Sequence, residues 1–194
     1  MMDIILNLAI FLITAFIVVF VFFRREHHWD LQRGRSALRF FTAQSNILCA
    51  AAALMMCLFP QSQVVWLLKY TGTAAVTVTM LTVFLFLAPS IGEGWTVLLK
   101  GSDFFMHLVT PLLALISFCA FEKRGMDFRT ALLGVLPVMI YGPWYLYKIR
   151  FAPENKRWDD FYGFNKGGKW PISFAMMLIG TFLICMGIMA LQNL

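Results

Sequence analysis

Four polar side chains stand where lipid tolerates few. The stretch RFFTAQSN, Arg39 to Asn46, opens a long apolar run and puts Thr42, Gln44, Ser45 and Asn46 at its entrance. Hydrocarbon penalises polar groups that find no partner, so these residues need a reason to be there. On a helix Thr42 and Asn46 are four apart and share a face, with Ser45 beside them. Arg39 and Arg35 are read as continuing that face into the preceding loop. A second polar pair, Asp103 and His107, is also four apart, at the head of the apolar run FFMHLVTPLLALISFCAF. Asp103 is placed to accept a hydrogen bond from the imidazole and fix its tautomer. Pro111 follows His107 by four, so it cannot donate to the carbonyl of residue 107, and a bend is expected at the histidine.

A hydroxyl and a lone histidine at one membrane face outline a nucleophile and its base. Threonine is a poor nucleophile at neutral pH and needs a base within about 2.6–3.2 Å. Neutral imidazole, with a reference pKa of about 6.5, suits that task. An oxyanion would need donors, for which Asn46, Ser45 or a backbone amide are candidates. The bland readings are equally concrete. A threonine in a membrane helix commonly bonds to a carbonyl one turn earlier. A later run carries Thr71, Thr73, Thr77, Thr79 and Thr82, which read as helix-packing residues. Tyr141, Trp144 and Tyr145 suit an interfacial aromatic belt as well as a substrate site. His27 and His28 are adjacent and do not share a helix face, so no metal site is expected, and no cofactor.

The elements that must position these residues are membrane spans. The chain is 60% hydrophobic and 13% charged, against about 45–50% and about 25% for a soluble domain. Its mean hydropathy is +0.75. The apolar residues fall into six runs, over 4–23, 38–59, 64–88, 104–121, 131–149 and 171–191. The expected fold is all-α: one polytopic domain, 1–194, built as a bundle of six transmembrane helices. The segment 89–103, with Pro89 and Glu93, is too polar to span, and its WTVLL stretch suits the interface. The first run lacks a basic leader and a small-residue cleavage site, and reads as a retained anchor. Cys49, Cys57, Cys119 and Cys185 all fall inside spans with no CxxC pair, and read as small packing residues.

Charge sets the expected orientation. Loops one, three and five carry twelve Lys and Arg, and the other side carries four, Lys69, Lys123, Arg124 and Arg129. The positive-inside rule then puts the odd loops in the cytoplasm. The net charge of +6 is accounted for by insertion and anionic lipid, with no call on nucleic acid. The unusual residues of the spans, Thr42, Ser45, Asn46, Asp103, His107, Tyr141, Trp144, Tyr145, Trp170 and Pro171, all gather at the odd-loop end.

Three passages, FFTAQSN, MHLVTP and YGPWYLY followed by WDDFYGF, occur in an order and spacing that resemble one known family. It is the six-transmembrane family of androgen-induced and androgen-dependent TFPI-regulating proteins, in its bacterial branch. Its animal members are intramembrane threonine hydrolases of fatty acid esters of hydroxy fatty acids. The resemblance implies a nucleophilic Thr42, a paired His107, a lipid or fatty-acyl ester substrate and a bacterial cytoplasmic membrane. AQSN after Thr42 is more polar than in the animal members, so the substrate itself is not carried across. Arg39 and Arg35 are candidates to hold a substrate carboxylate or phosphate. The rival expectation is a transporter or lipid-binding protein without chemistry. Against it stand the lack of an acidic residue near the midplane and of an inverted repeat.

Overall fold

The computed structural model describes residues 1–25, 28–90, 95–96 and 99–194. His27, Glu93 and the middle of the WTVLL stretch lie outside the described residues. Six helices are long and apolar enough to cross a membrane: Met2–Phe22, Phe41–Leu58, Gln63–Ser90, Ser102–Phe121, Phe128–Phe151 and Trp170–Asn193. The protein is an all-α integral membrane bundle, as its hydropathy runs require. These helices are called spans one to six. Span three is the most enclosed and span six the most exposed. Span two packs against spans one and three. Its approach to span three is set by Gly72, where a Cβ would fall 2.7 Å from the Cys49 Cα.

Span two begins later than its hydropathy run. A short helix, Leu31–Ala37, is capped by Asp30 and ends at Leu38. Phe40 is extended, at φ −83° and ψ 141°, and the span starts at Phe41. The carbonyls that an unbroken helix would bond internally are taken by side chains instead. The Gln44 side chain donates to the Leu38 carbonyl at 3.0 Å, and the Tyr141 hydroxyl to the Arg39 carbonyl at 2.9 Å. Arg35 and Arg39 therefore do not continue the face of Thr42, contrary to expectation: one sits in a separate helix and the other in the break.

Span four distorts where Pro111 predicts. Residues Phe105–Val109 form a wide π turn, with the Thr110 amide donating to the Phe105 carbonyl. The wider turn lets the chain pass a proline that has no amide to offer.

The other end of the bundle holds a charged cluster. Lys69 lies in span three rather than in the loop assigned to it by charge counting, and it is fully buried. Its ammonium lies 3.7 Å from the Glu122 carboxylate. It also donates to Asn7 Oδ1 of span one, and to Ser117 Oγ of span four at 3.5 Å. Glu122 Oε1 further accepts from Asn7 Nδ2 at 2.5 Å and from Ser117 Oγ at 2.9 Å. The cluster ties spans one, three and four together. Removing one partner leaves the other charge buried alone, which costs about 3–5 kcal/mol. Lys69→Met is expected to destabilise the protein by that amount in detergent unfolding. Lys69→Met with Glu122→Gln, which removes both charges, is expected to recover most of the loss.

Candidate active site

Thr42 is the second residue of span two, so the carbonyl one turn back belongs to Leu38, beyond the break, and already accepts from Gln44. The usual bond of a membrane threonine to its own helix is thereby unavailable. Its hydroxyl instead meets span four: Thr42 Oγ1 lies 3.4 Å from His107 Nε2. That is a little long for proton transfer, and such contacts tighten when substrate binds. His107 is buried, at 6% exposure, and Thr42 is half-buried. Asp103 sits one turn before His107, half-buried, and acts on it electrostatically.

Asn46 and Ser45 hold this pair in place. Asn46 is fully buried, and its Nδ2 donates to the Thr42 carbonyl at 2.9 Å and to the Met106 carbonyl at 3.1 Å. The amide thus clamps span two to span four one residue before His107. With both hydrogens of Nδ2 facing carbonyls, Asn46 has none left for an oxyanion in this arrangement. Ser45 Oγ lies 3.1 Å from the Thr42 carbonyl and 2.9 Å from Thr79 Oγ1, which ties span two to span three.

Loop five closes over the site. The amide of Phe41, the first in span two, donates to the Tyr162 hydroxyl at 3.1 Å. The same hydroxyl lies beside the amide and side chain of Thr42 and the phenol of Tyr141. Burial holds the Tyr162 phenol above its ordinary range, so it stays neutral. Tyr145 accepts from the Tyr162 amide at 3.2 Å and donates to Asp160 Oδ1 at 3.1 Å. Asp160 in turn accepts from the amides of Phe164 and Asn165 at 2.8 and 2.7 Å. This carboxylate folds the WDDFYGF loop into a clasp. Tyr162 and Asp160 were not among the expected site residues; the signal for them was the adjacent acids Asp159 and Asp160 among four aromatics, Trp158, Phe161, Tyr162 and Phe164.

The expected substrate residues separate. The rings of Tyr141 and Tyr145 are buried and stacked, with their hydroxyls engaged by the break and the loop. Trp144 is 49% exposed, stacks on Tyr147 and carries the Lys148 ammonium over its ring, facing away from Thr42. Arg35 and Arg39 line a polar cleft of about 470 Å³ with Gln32, Ser36 and Trp158. An apolar cleft of about 400 Å³ lies between spans one and four, lined by Phe16, Ile17 and Phe105 among others. Thr42 and His107 line neither of these two clefts.

Comparison of the chain with protein-family models, curated proteins and solved structures gives no match.

The clasp has a measurable consequence. Tyr162→Phe keeps the ring and removes the acceptor from the first amide of span two. It is expected to cost about 1 kcal/mol in unfolding stability and to speed proteolysis of loop five.

Proposed function

We propose that the protein is an intramembrane lipid-ester hydrolase with Thr42 as nucleophile and His107 as general base. The observation that carries this reading is the contact between Thr42 Oγ1 and His107 Nε2 at 3.4 Å, made by a hydroxyl with no bond to its own helix. The resemblance of FFTAQSN, MHLVTP and YGPWYLY to the threonine hydrolase family supports the same pair.

In this mechanism Thr42 Oγ1 attacks the ester carbonyl carbon as His107 Nε2 takes its proton. The oxyanion rests on the first-turn amides of span two, where the helix dipole also favours negative charge. The Tyr162 oxygen now sits at those amides, so the substrate carbonyl takes its place as the clasp shifts. His107 returns the proton to the leaving alcohol. Water then attacks the acyl-threonine as His107 accepts its proton, and His107 returns that proton to Thr42 Oγ1 as the acid is released. Acyl chains fit the apolar cleft beside Phe105, and a substrate carboxylate fits between Arg35 and Arg39. Loops one, three and five are assigned to the cytoplasm of a bacterial cell. With Lys69, Arg129, Lys148 and Arg150 inside spans, ten basic residues of these loops stand against two, Lys123 and Arg124.

A non-catalytic transporter is the second reading, favoured by one observation, the buried Lys69–Glu122 pair. Fluorophosphonate labelling separates the two. The hydrolase reading expects labelling of the purified wild type and its loss in both Thr42→Ala and His107→Ala. A folded wild type that stays unlabelled and cleaves no lipid ester overturns it. Where an ester with a free carboxylate is cleaved, Arg39→Ala is expected to raise KM with little change in kcat, the pattern of lost uniform binding.

A further inference from the structure

Among the described residues, six buried side-chain polar atoms have no hydrogen-bond partner. One, Asn165 Oδ1, is in loop five. The other five are Thr14 Oγ1, Asn46 Oδ1, Thr73 Oγ1, Thr110 Oγ1 and Glu122 Oε2, all in or at the end of spans one to four. Buried polar groups are almost always satisfied, and an orphan costs about 1–3 kcal/mol. Five in one half of a bundle call for partners.

Their positions give one such partner a place. Span one buries Asn7, Ile10, Thr14 and Ile17, a single stripe at helical spacing. The buried stripe of span four includes His107, Thr110, Ala114 and Ser117, and that of span two includes Asn46, Cys49 and Ala53. Contacts between spans fix their relative heights. Cys57 Sγ lies 3.9 Å from the Ile4 carbonyl, and Asn46 Nδ2 lies 3.1 Å from the Met106 carbonyl. Counting along the helices from these contacts, at about 1.5 Å per residue, brings Thr14 level with Asn46 and puts Thr110 within about one turn of both. That level is one turn beneath the contact between Thr42 and His107. The three residues come from spans one, two and four, which pack on one another. Thr73 lies a further turn down, one turn above Lys69 on the same face of span three.

We propose that a bound water is held by Thr14, Asn46 and Thr110 beneath the Thr42–His107 contact. Below it Ile10, Cys49, Val76 and Ala114 pack against one another, so this water is separate from the cluster at Glu122. The chemistry matches. Asn46 Oδ1 can only accept, and each threonine hydroxyl can give or take, so a water donating to Asn46 reaches the usual count of about three partners. The water site does not depend on Thr42 being a nucleophile, and it places a polar group one turn beneath the imidazole.

Radiolytic hydroxyl-radical footprinting in lipid nanodiscs tests this, because radicals born from bound water oxidise the side chains next to them. Cys49 and Met106 flank the proposed water at 0% and 1% exposure, while Cys185, also at 0%, sits in the apolar cluster with Trp66 and Phe118. The expected result is rapid oxidation of Cys49 and Met106 with Cys185 slow. The Thr14→Val/Thr110→Val double variant should lower the first two severalfold, and Thr14→Ser/Thr110→Ser should keep them, with exposed Met139 unchanged throughout. Cys49 and Met106 as slow as Cys185 in the wild type, or undiminished in the valine variant, overturns the proposal. The footprint does not read esterase activity, so its outcome is separate from the fate of the hydrolase reading.

Discussion

The structure depends on how the first turn of span two is satisfied at the edge of the membrane. A helix that starts there leaves amides with no intrahelical partner, and the chain before it leaves carbonyls. Here the partners are side chains of loop five, of span five and of span two itself. The Tyr162 hydroxyl takes the Phe41 amide, Tyr141 gives to the Arg39 carbonyl, and Gln44 reaches back to the Leu38 carbonyl. Because side chains make these bonds, the helix can break at Phe40 and not continue into Leu31–Ala37. The break is what frees Thr42 from its own helix and turns its hydroxyl toward span four.

The two ends of the bundle solve the same problem differently. At the end holding Glu122, a lysine, a glutamate, an asparagine and a serine satisfy one another almost completely and lock spans one, three and four. Replacing such a cluster by apolar residues of similar volume is often neutral for stability, so its value lies in fixing which faces of the helices meet. At the other end the seam is made of hydroxyls, an amide and a phenol on a loop. Those bonds are weaker singly and reach water more readily. On the proposed hydrolase reading, a rigid end and a yielding end suit a site whose closing loop shifts while the helices beneath it stay in register.

Much of this was legible in the sequence, and the misses share a cause. Six apolar runs of spanning length were enough for the architecture. The i, i+4 spacing of Thr42 with Asn46, and the polar head of span four, pointed to two faces that do meet. What hydropathy could not show was anything that depends on a distant partner. Lys69 reads as an interfacial charge until Glu122 is placed against it. The break at Phe40 carries no glycine or proline and is visible only through Tyr141 and Gln44. Asn46 reads as a donor awaiting a ligand until two carbonyls claim its hydrogens. Tyr162 sits in a loop whose fold is written in the hydrogen bonds of Asp160.

On the proposed hydrolase reading, the same bookkeeping of partners decides which hydroxyl serves as nucleophile. Serine is the less hindered nucleophile, and Ser45 lies one turn along span two from Thr42. Yet Ser45 Oγ is buried between the Thr42 carbonyl and Thr79 Oγ1, with no base against it. Its proton has acceptors of low basicity, and its lone pairs face another span rather than a cleft. Thr42 is half-buried, lies in the first turn beside amides that favour a developing negative charge, and faces an imidazole. Its extra methyl costs reach, but it also removes rotamers and holds the hydroxyl in fewer directions. Where water and substrate must both be kept to one path, a stiff hydroxyl aimed at a base is worth more than a mobile one aimed at a carbonyl.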